Sequence, residues 1–289
     1  MFESLFEPLR IGELEVPNRI LMAPMTRSRS RQPGDVPWEM NVEYYRQRAS
    51  AGLTFTEATW VDVLGKGYAY IPGIVTDEQV EGWRPIVEAV HGEGGRIALQ
   101  LFHSGRVGHT DLHPDGQPPV APSAIRAKTM TYTSAESGMV DVSEPRALSL
   151  EEISGVIEAY RRAAEKGREL GFDAVEIHGA NGYLLDDFLR DGANRRTDEY
   201  GGSIEGRARL GLEVAEAVAG VFGPGRVSYR ISPLGTFNDM RDSDPMATFG
   251  HMAEALGALG LAAIHVVEDA GDGSGRGPTL EPILRSVRE

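Results

Sequence analysis

Residues 149–178 read SLEEISGVIEAYRRAAEKGRELGFDAVEIH, and they predict a helix that leads directly into a strand. Apolar residues at spacings of three and four give a helix over Leu150–Leu170 one continuous stripe. The stripe consists of Ile153, Ile157, Tyr160 and Ala164. Asp173–Gly179 is then a short run with the branched residues typical of a buried strand. A helix followed by such a strand is the repeating unit of a parallel α/β sheet.

Both ends of this helix carry local signals. Ser149 and Glu152 have the spacing of a capping box, in which each side chain binds the backbone N–H of the other residue. Gly171 follows the last turn, where a residue without a Cβ ends a helix easily. The helix is therefore predicted to span Leu150–Leu170.

The same alternation of strands and helices continues along the chain. The predicted strands are Ile20–Met25, Leu53–Val61, Arg96–His103, Asp173–Gly179, Arg226–Pro233 and Ala262–Glu268. The predicted helices are Glu39–Ala51, Asp77–Gly92, Leu150–Leu170, Ile204–Phe222 and Met246–Leu259. This order predicts an α/β fold with a parallel sheet, although periodicity alone does not select one member of that class.

Two stretches lie outside the alternation. Phe6–Arg19 is predicted to form a hairpin or a cover at one end of the sheet. Ser104–Leu148, rich in Gly, Pro and Thr, is too long for an ordinary connection and is predicted to be a functional insertion. It should contain a hairpin around Met130–Val142.

Composition excludes several classes of function. A formal net charge of −14 repels phosphate backbones, so we expect no nucleic-acid partner. The absence of cysteine excludes disulfides, thiolate zinc sites and thiol nucleophiles. The acidic start MFESLFEPLRIG lacks the positive charge of a signal peptide, and no run of 18 apolar residues occurs. We therefore expect a cytoplasmic protein without a membrane partner.

An imidazole, a carboxamide and a phenol follow the predicted strand that ends near Gly179. His178 and Asn181 can each donate a hydrogen bond to one substrate oxygen, and Tyr183 can supply a proton. The loops that follow the strands build the active sites of parallel barrels, which favours this interpretation. The alternative is structural: His178 and Asn181 cap the short helix Leu184–Leu189, and Tyr183 packs beneath it.

Residues 178–210, HGANGYLLDDFLRDGANRRTDEYGGSIEGRARL, closely resemble the signature of the Old Yellow Enzyme family. Further agreement occurs at residues 18–26, NRILMAPMT, and 95–106, GRIALQLFHSGR. The resemblance implies a (β/α)₈ TIM barrel and a single flavin-oxidoreductase domain over residues 1–289, with residues 104–148 as an insertion.

This resemblance also implies an enzyme activity. Family members are ene-reductases that hold FMN, reduce it with NADPH or NADH, and transfer hydride to activated alkenes such as enones, enals, maleimides and nitro compounds. His178 and Asn181 would then bind the substrate oxygen, Tyr183 would protonate the α-carbon, and Tyr68 would line the substrate pocket. The residues implied to contact FMN are Pro24, Met25, Thr26, Ala58, Gln100 and Arg230.

For the FMN contacts, structural alternatives stay open at this stage. Thr26 is also compatible with a turn, and Gln100 with the surface of a strand. Arg230 is also compatible with an ion pair to one of the many carboxylates. However, a lone Arg in an apolar strand is costly to bury without a partner, which favours a binding site.

The family pattern continues beyond residue 289, and its last two strands hold the FMN phosphate. We therefore expect a barrel without its last two βα units, and a homo-oligomer that covers the open edges. The alternative function is a catalytically inactive truncated barrel that binds flavin weakly or acts only as an interaction protein. The Gly-rich segment Gly271–Gly277 matches no phosphate-binding motif, and His103, His109 and His113 lack metal-ligand spacing, so neither predicts a site.

Overall fold

The computed structural model describes residues 3–268. This range contains the residues of all six predicted strands, all five predicted long helices and every predicted site residue. Each predicted strand or helix overlaps an observed element of the same type. The segment Gly271–Gly277 lies outside the described residues.

The described residues alternate between strands and helices. The strands are β1 Leu9–Ile11, β2 Leu14–Val16, β3 Leu21–Met22, β4 Leu53–Phe55, β5 Thr59–Trp60, β6 Ile97–Phe102, β7 Val120–Ala121, β8 Met130–Ser134, β9 Gly138–Asp141, β10 Arg146–Ala147, β11 Ala174–His178, β12 Val227–Ile231 and β13 Ala263–Val266. The helices are α1 Glu39–Arg46, α2 Asp77–Gly92, α3 Leu150–Leu170, α4 Leu184–Leu189, α5 Ile204–Phe222 and α6 Pro245–Ala258. Over residues 3–268 no helix combines the length and apolarity that crossing a bilayer requires.

A seven-stranded parallel sheet forms the centre of the molecule. Its order is β13-β12-β11-β6-β4-β3, and β5 also pairs with β6. Within residues 3–268 the sheet is open, with β3 and β13 at its edges. The predicted α/β architecture is confirmed, whereas the absence of two βα units stays a prediction.

Alternate residues of each strand face opposite sides of this sheet. On β11, Val175 and Ile177 belong to the main core, together with apolar residues of α3 and α5. Glu176 and His178 therefore face the concave inner side. The helices cover only the outer face, so the inner face is where polar strand residues meet.

The limits of α3 agree with the prediction. The Ser149 side chain accepts a hydrogen bond from the Glu152 N–H at 3.2 Å, and the Glu152 carboxylate accepts one from the Ser149 N–H at 2.8 Å. Gly171 ends the helix in the left-handed conformation, with φ of 87°. Because both signals act between neighbouring residues, the sequence was sufficient to predict them.

Three predicted elements were wrong in extent, and the first is the strand Ile20–Met25, of which only Leu21–Met22 forms a strand. The strand Leu53–Val61 is divided into β4 and β5, because the Glu57 N–H donates to the Tyr45 hydroxyl at 2.7 Å instead of to a neighbouring strand. The helix predicted over Glu39–Ala51 ends at Arg46, since the next residues form bonds of the i to i+3 type that tighten the chain.

The two segments outside the alternation form hairpins as predicted. β1 and β2 pair, and Leu14 and Val16 pack against Leu53 and Phe55 at the base of the sheet. β8 and β9 pair within residues 104–148. The base of the sheet is therefore closed by apolar residues of the first hairpin.

Candidate active site

The candidate site lies at the carboxyl ends of β6, β11 and β12, opposite the β1–β2 hairpin. Phe102 and His178 are the last residues of β6 and β11. Arg230 on β12 is in register with His178. The predicted position of the site after the strands thus agrees with where the sheet gathers these side chains.

His178 is buried and neutral. Its Nδ1 accepts a hydrogen bond from the Ala180 N–H at 3.3 Å. Burial, and then the positive charge of Arg230, hold its pKa well below the ordinary value. Since Nδ1 is an acceptor, the single proton of the neutral ring is on Nε2, which is left as a hydrogen-bond donor.

Asn181 lies in a left-handed turn between β11 and α4, with φ of 62°. Its backbone N–H donates to Ser232 Oγ at 2.8 Å, and its carbonyl accepts from Asn238 Nδ2 at 2.8 Å. The Asn181 carboxamide makes no hydrogen bond with residues 3–268, so its donors remain available. Gly182 continues the turn with φ of 73°, and an added Cβ would lie 2.6 Å from Met240 Cγ.

The capping role in the structural alternative was wrong. Helix α4 begins after Tyr183, and no side chain caps it. The His178 ring instead accepts a bond from the backbone of its own turn. His178 and Asn181 are therefore not the caps of α4.

Tyr183 stands within a group of aromatic rings. Its ring centroid is 4.6 Å from that of Phe102 and 5.0 Å from that of His178, in both cases edge to face. The hydroxyls of Tyr183 and Tyr68 are 3.0 Å apart. Burial, and next the neighbouring Tyr68, raise the pKa of Tyr183 well above its ordinary value. The phenol consequently keeps its proton at neutral pH.

Gln100 and Arg230 face the same interior. Gln100 is buried, and its Nε2 donates to Glu176 Oε1 at 2.8 Å, so its alternative as a surface residue was wrong. Arg230 Nε is buried without a hydrogen-bond partner in residues 3–268. Burial lowers the pKa of Arg230, and the negative charge of Glu176 opposes that shift. Arg230 is thus a cationic group whose Nε donor is unsatisfied within the described protein.

The remaining predicted cofactor contacts are Pro24, Met25, Thr26 and Ala58. Pro24, Met25 and Thr26 follow β3, and both Met25 and Thr26 are exposed. Ala58, between β4 and β5, is buried in a cluster with Trp60 and Phe102. Tyr68, in contrast, joins Tyr183 directly although 115 positions separate them.

Sequence reasoning gave no role to several polar residues of the interior. Glu176 is fully buried and binds His265 Nδ1 at 2.7 Å as well as Gln100. Arg106 and Asp187 form a buried ion pair at 3.0 Å beneath the Tyr183 turn. For Glu176 a signal existed, since a single Glu in an apolar strand is as costly to bury as Arg230.

Comparison with known proteins identifies the family. Residues 4–279 match the model of the NADH:flavin oxidoreductase / NADH oxidase family. The chain belongs to this family. Over 266 residues it is 46% identical to 12-oxophytodienoate reductase 1 of Oryza sativa subsp. japonica. The matched region covers 91% of this chain and 68% of that reductase. The resemblance to the Old Yellow Enzyme family is thereby confirmed.

Solved structures of family members have the same fold. Morphinone reductase superposes with a TM-score of 0.94 at 48% identity, over 99% of this chain and 76% of that protein. An Old Yellow Enzyme homologue from Zymomonas mobilis superposes with a TM-score of 0.92 at 43% identity, over 98% of this chain and 79% of that protein. The chain is therefore an oxidoreductase with the fold of this flavoprotein family.

FMN is the cofactor of this family, and a nicotinamide reductant fits the family's description. The residues at the site fit such a group. Arg230 Nε is a buried donor without a protein partner, and Gln100 Oε1 accepts no hydrogen bond from residues 3–268. Buried polar groups in native proteins are rarely left unsatisfied, so Arg230 Nε suits a polar ring system, and Gln100 Oε1 can serve as an acceptor for it.

Proposed function

We propose that this chain reduces the C=C bond of electron-poor alkenes, namely enones, enals, maleimides and nitro compounds. One observation carries the proposal: a protonated phenol, Tyr183, lies edge-on to a neutral imidazole, His178, at 5.0 Å between ring centroids. A proton donor beside a hydrogen-bond donor is the pair that reduction of a conjugated alkene requires.

His178 and Asn181 would bind the carbonyl or nitro oxygen of the substrate. The His178 Nε2–H and the Asn181 carboxamide are both donors without a described acceptor. Negative charge develops on this oxygen as the β-carbon accepts hydride, and two fixed donors stabilise that charge. Because His178 is neutral, it acts by hydrogen bonding and leaves proton transfer to Tyr183.

When bound, FMN supplies the hydride, which it takes from NADPH or NADH. Arg230 and Gln100 would hold its ring from the strands β12 and β6. The other proposed contacts are Pro24, Met25, Thr26 and Ala58. A positive charge at Arg230 favours binding of an electron-rich group there.

Tyr183 would deliver the proton to the α-carbon. A net hydride at the β-carbon and a proton at the α-carbon balance the saturation of one C=C bond. The Tyr68 hydroxyl, 3.0 Å away, can then donate to the phenolate that Tyr183 becomes. Tyr68 would also form a wall of the substrate pocket, since its ring lies 6.4 Å from that of Tyr183.

The names of the relatives support a reductase of small organic molecules, 12-oxophytodienoate in one case and morphinone in another. They do not favour the alternative of a catalytically inactive interaction protein. The three proposed donors, His178, Asn181 and Tyr183, are all present in this chain.

The visible spectrum of the purified protein tests the proposal. We expect absorbance of bound oxidised FMN, its loss when NADPH or NADH is added without oxygen, and its return when 2-cyclohexenone is added. A protein that takes up no FMN, or whose reduced flavin is not reoxidised by any of the four alkene classes, would refute the proposed function.

The assembly is a separate proposal. Residues 1–289 would form one barrel domain with residues 104–148 as an insertion, and a second copy would cover the edges β3 and β13. Sedimentation should then detect a species heavier than the 31.4 kDa chain, and a uniform monomer would contradict this assembly.

A further inference from the structure

Glu176 is a buried carboxylate on the inner face of β11, one layer below His178. It is fully buried, and three side chains surround its oxygens: Gln100 Nε2 at 2.8 Å, His265 Nδ1 at 2.7 Å and Ser228 Oγ at 3.5 Å. A carboxylate in a protein interior is costly unless polar groups stabilise it. All three contacts come from other strands, so Glu176 connects β6, β12 and β13.

The contact with Gln100 fixes the orientation of an amide. A carboxylate only accepts hydrogen bonds, so the Gln100 atom that faces Glu176 must be the donor, Nε2. Gln100 Oε1 is then directed away from Glu176 and accepts nothing from residues 3–268. Glu176 therefore determines that Gln100 presents an acceptor to whatever occupies the interior.

The charge of Glu176 also acts on Arg230. His178 and Arg230 are register partners, and Glu176 precedes His178 by two residues on the same face. The Glu176 charge raises the pKa of Arg230 against the effect of burial. In an interior of low dielectric constant, a carboxylate one layer below reduces the positive potential that Arg230 creates.

We propose that Glu176 is a positioning residue of the cofactor site, with two effects. It orients Gln100 so that Oε1 accepts a hydrogen bond from an N–H group of the flavin ring, and it offsets the charge of Arg230, which lowers the midpoint potential of the bound flavin. This inference rests on the proposed function, because it takes FMN as the occupant of the interior.

The first effect is tested by FMN affinity. In Glu176→Gln the new amide can accept from Gln100 or donate to it, so the Gln100 amide is no longer fixed. We expect FMN to bind about tenfold more weakly, the scale of one lost hydrogen bond to a buried group. Glu169→Gln on the exposed face of α3 makes the same change in formal charge and should bind FMN like the wild type.

A double variant shows whether Glu176 acts through Gln100. In a Gln100→Leu background, Glu176→Gln should change the dissociation constant by less than about twofold, since no amide remains to be oriented. An equal loss of affinity in both backgrounds would overturn this part of the proposal.

The second effect is tested by the midpoint potential. Removal of the Glu176 charge leaves Arg230 less offset, which favours the negative charge that reduction adds. The ratio of affinities for reduced and oxidised FMN should rise about tenfold in Glu176→Gln, equivalent to about 30 mV for a two-electron couple. Gln100→Leu leaves the carboxylate in place and should shift the potential less. An unchanged potential in Glu176→Gln would overturn the charge effect.

Glu176→Asp separates the two effects and keeps the test decisive if Glu176→Gln does not fold. It retains the charge but withdraws it from Gln100 by one methylene group. We expect a near wild-type potential with weakened FMN binding, and wild-type affinity would overturn the proposal. If the wild type itself bound no FMN, the proposed function would fail instead, so the two failures are distinguishable.

Discussion

At the base of the sheet, Leu14 and Val16 of the β1–β2 hairpin pack against Leu53 and Phe55. The opposite end, at the carboxyl ends of β6, β11 and β12, is called the rim. There, buried ion pairs hold the loops: Arg106 with Asp187 at 3.0 Å and Arg190 with Asp186 at 2.8 Å. The base buries apolar groups, and the hydrophobic effect that favours their burial is non-directional. The rim buries charges, which are tolerated only where each partner is precisely oriented by hydrogen bonds.

This difference matches the separate tasks of the two ends. Strand residues on the inner face are apolar at the base, as at Ala98 and Ala174, and become polar toward the rim, at Gln100, Glu176 and His178. The rim also carries Arg230 Nε, a buried donor without a partner among residues 3–268. The base therefore contributes stability, whereas the rim keeps groups oriented for a ligand.

The largest effect on stability should come from breaking a rim ion pair. Arg106→Ala leaves Asp187 buried without its cation and also removes bonds from the guanidinium to the carbonyls of Asn238 and Asp239. We expect the free energy of unfolding to fall by about 3–5 kcal/mol in urea titrations. The exposed pair Arg84–Glu81 is the control, and Arg84→Ala should change the free energy of unfolding far less. Equal losses in both variants would remove the contrast between rim and surface.

At the base, Phe55→Ala should reduce the free energy of unfolding by about 3 kcal/mol, because it removes a buried ring from the hairpin contact. Phe237→Ala, at an exposed position, is the matched control and should change stability little. Ligand affinity of the folded Phe55→Ala protein should match the wild type. A loss of ligand binding there would show that the base also shapes the site.

These elements also show how far the sequence was informative. The ends of α3 were predictable because Ser149, Glu152 and Gly171 act within one helix turn of their partners. The division of β4 from β5 was not, since it depends on Tyr45, which is 12 residues from Glu57. Both α4 and the turn before it were predictable from contiguous residues.

The site residues also divide into those that the sequence predicts locally and those that it does not. His178, Asn181 and Tyr183 are contiguous, so one short segment predicted them from spacing and residue type. Tyr68 and Gln100 were indicated only by family resemblance, because their partners lie 115 and 76 positions away. No local pattern connects residues at that separation, and the pair Arg106–Asp187 was missed for the same reason.

Smaller effects are expected for the oxygen-binding residues at the rim. His178→Ala and Asn181→Ala should each weaken binding of a carbonyl or phenol ligand by about 1–3 kcal/mol, because a ligand oxygen loses one donor. Spectral titration of FMN-loaded protein measures these affinities. An affinity equal to the wild type in both variants would exclude these residues from the ligand site.

The smallest expected effect is a pH dependence of stability at the rim. The folded-state pKa of His178 lies well below the ordinary value, so below about pH 6.5 the unfolded chain binds a proton that the folded protein does not. The stability from neutral His178 is therefore present above pH 6.5 and is lost as the pH falls. Urea titrations at pH 7.5 and 5.5 should show a loss about 1 kcal/mol smaller in His178→Gln than in the wild type. Identical losses would mean that His178 is not buried in the neutral state.

The role of Tyr183 is measured most directly by separating the two half-reactions of Tyr183→Phe in stopped-flow experiments. Reduction of bound FMN by NADPH or NADH should keep its wild-type rate, while reoxidation by 2-cyclohexenone should slow by about 10²-fold or more, the usual contribution of a positioned acid. Wild-type reoxidation, or an equal loss in both half-reactions, would contradict proton donation by Tyr183 at the rim.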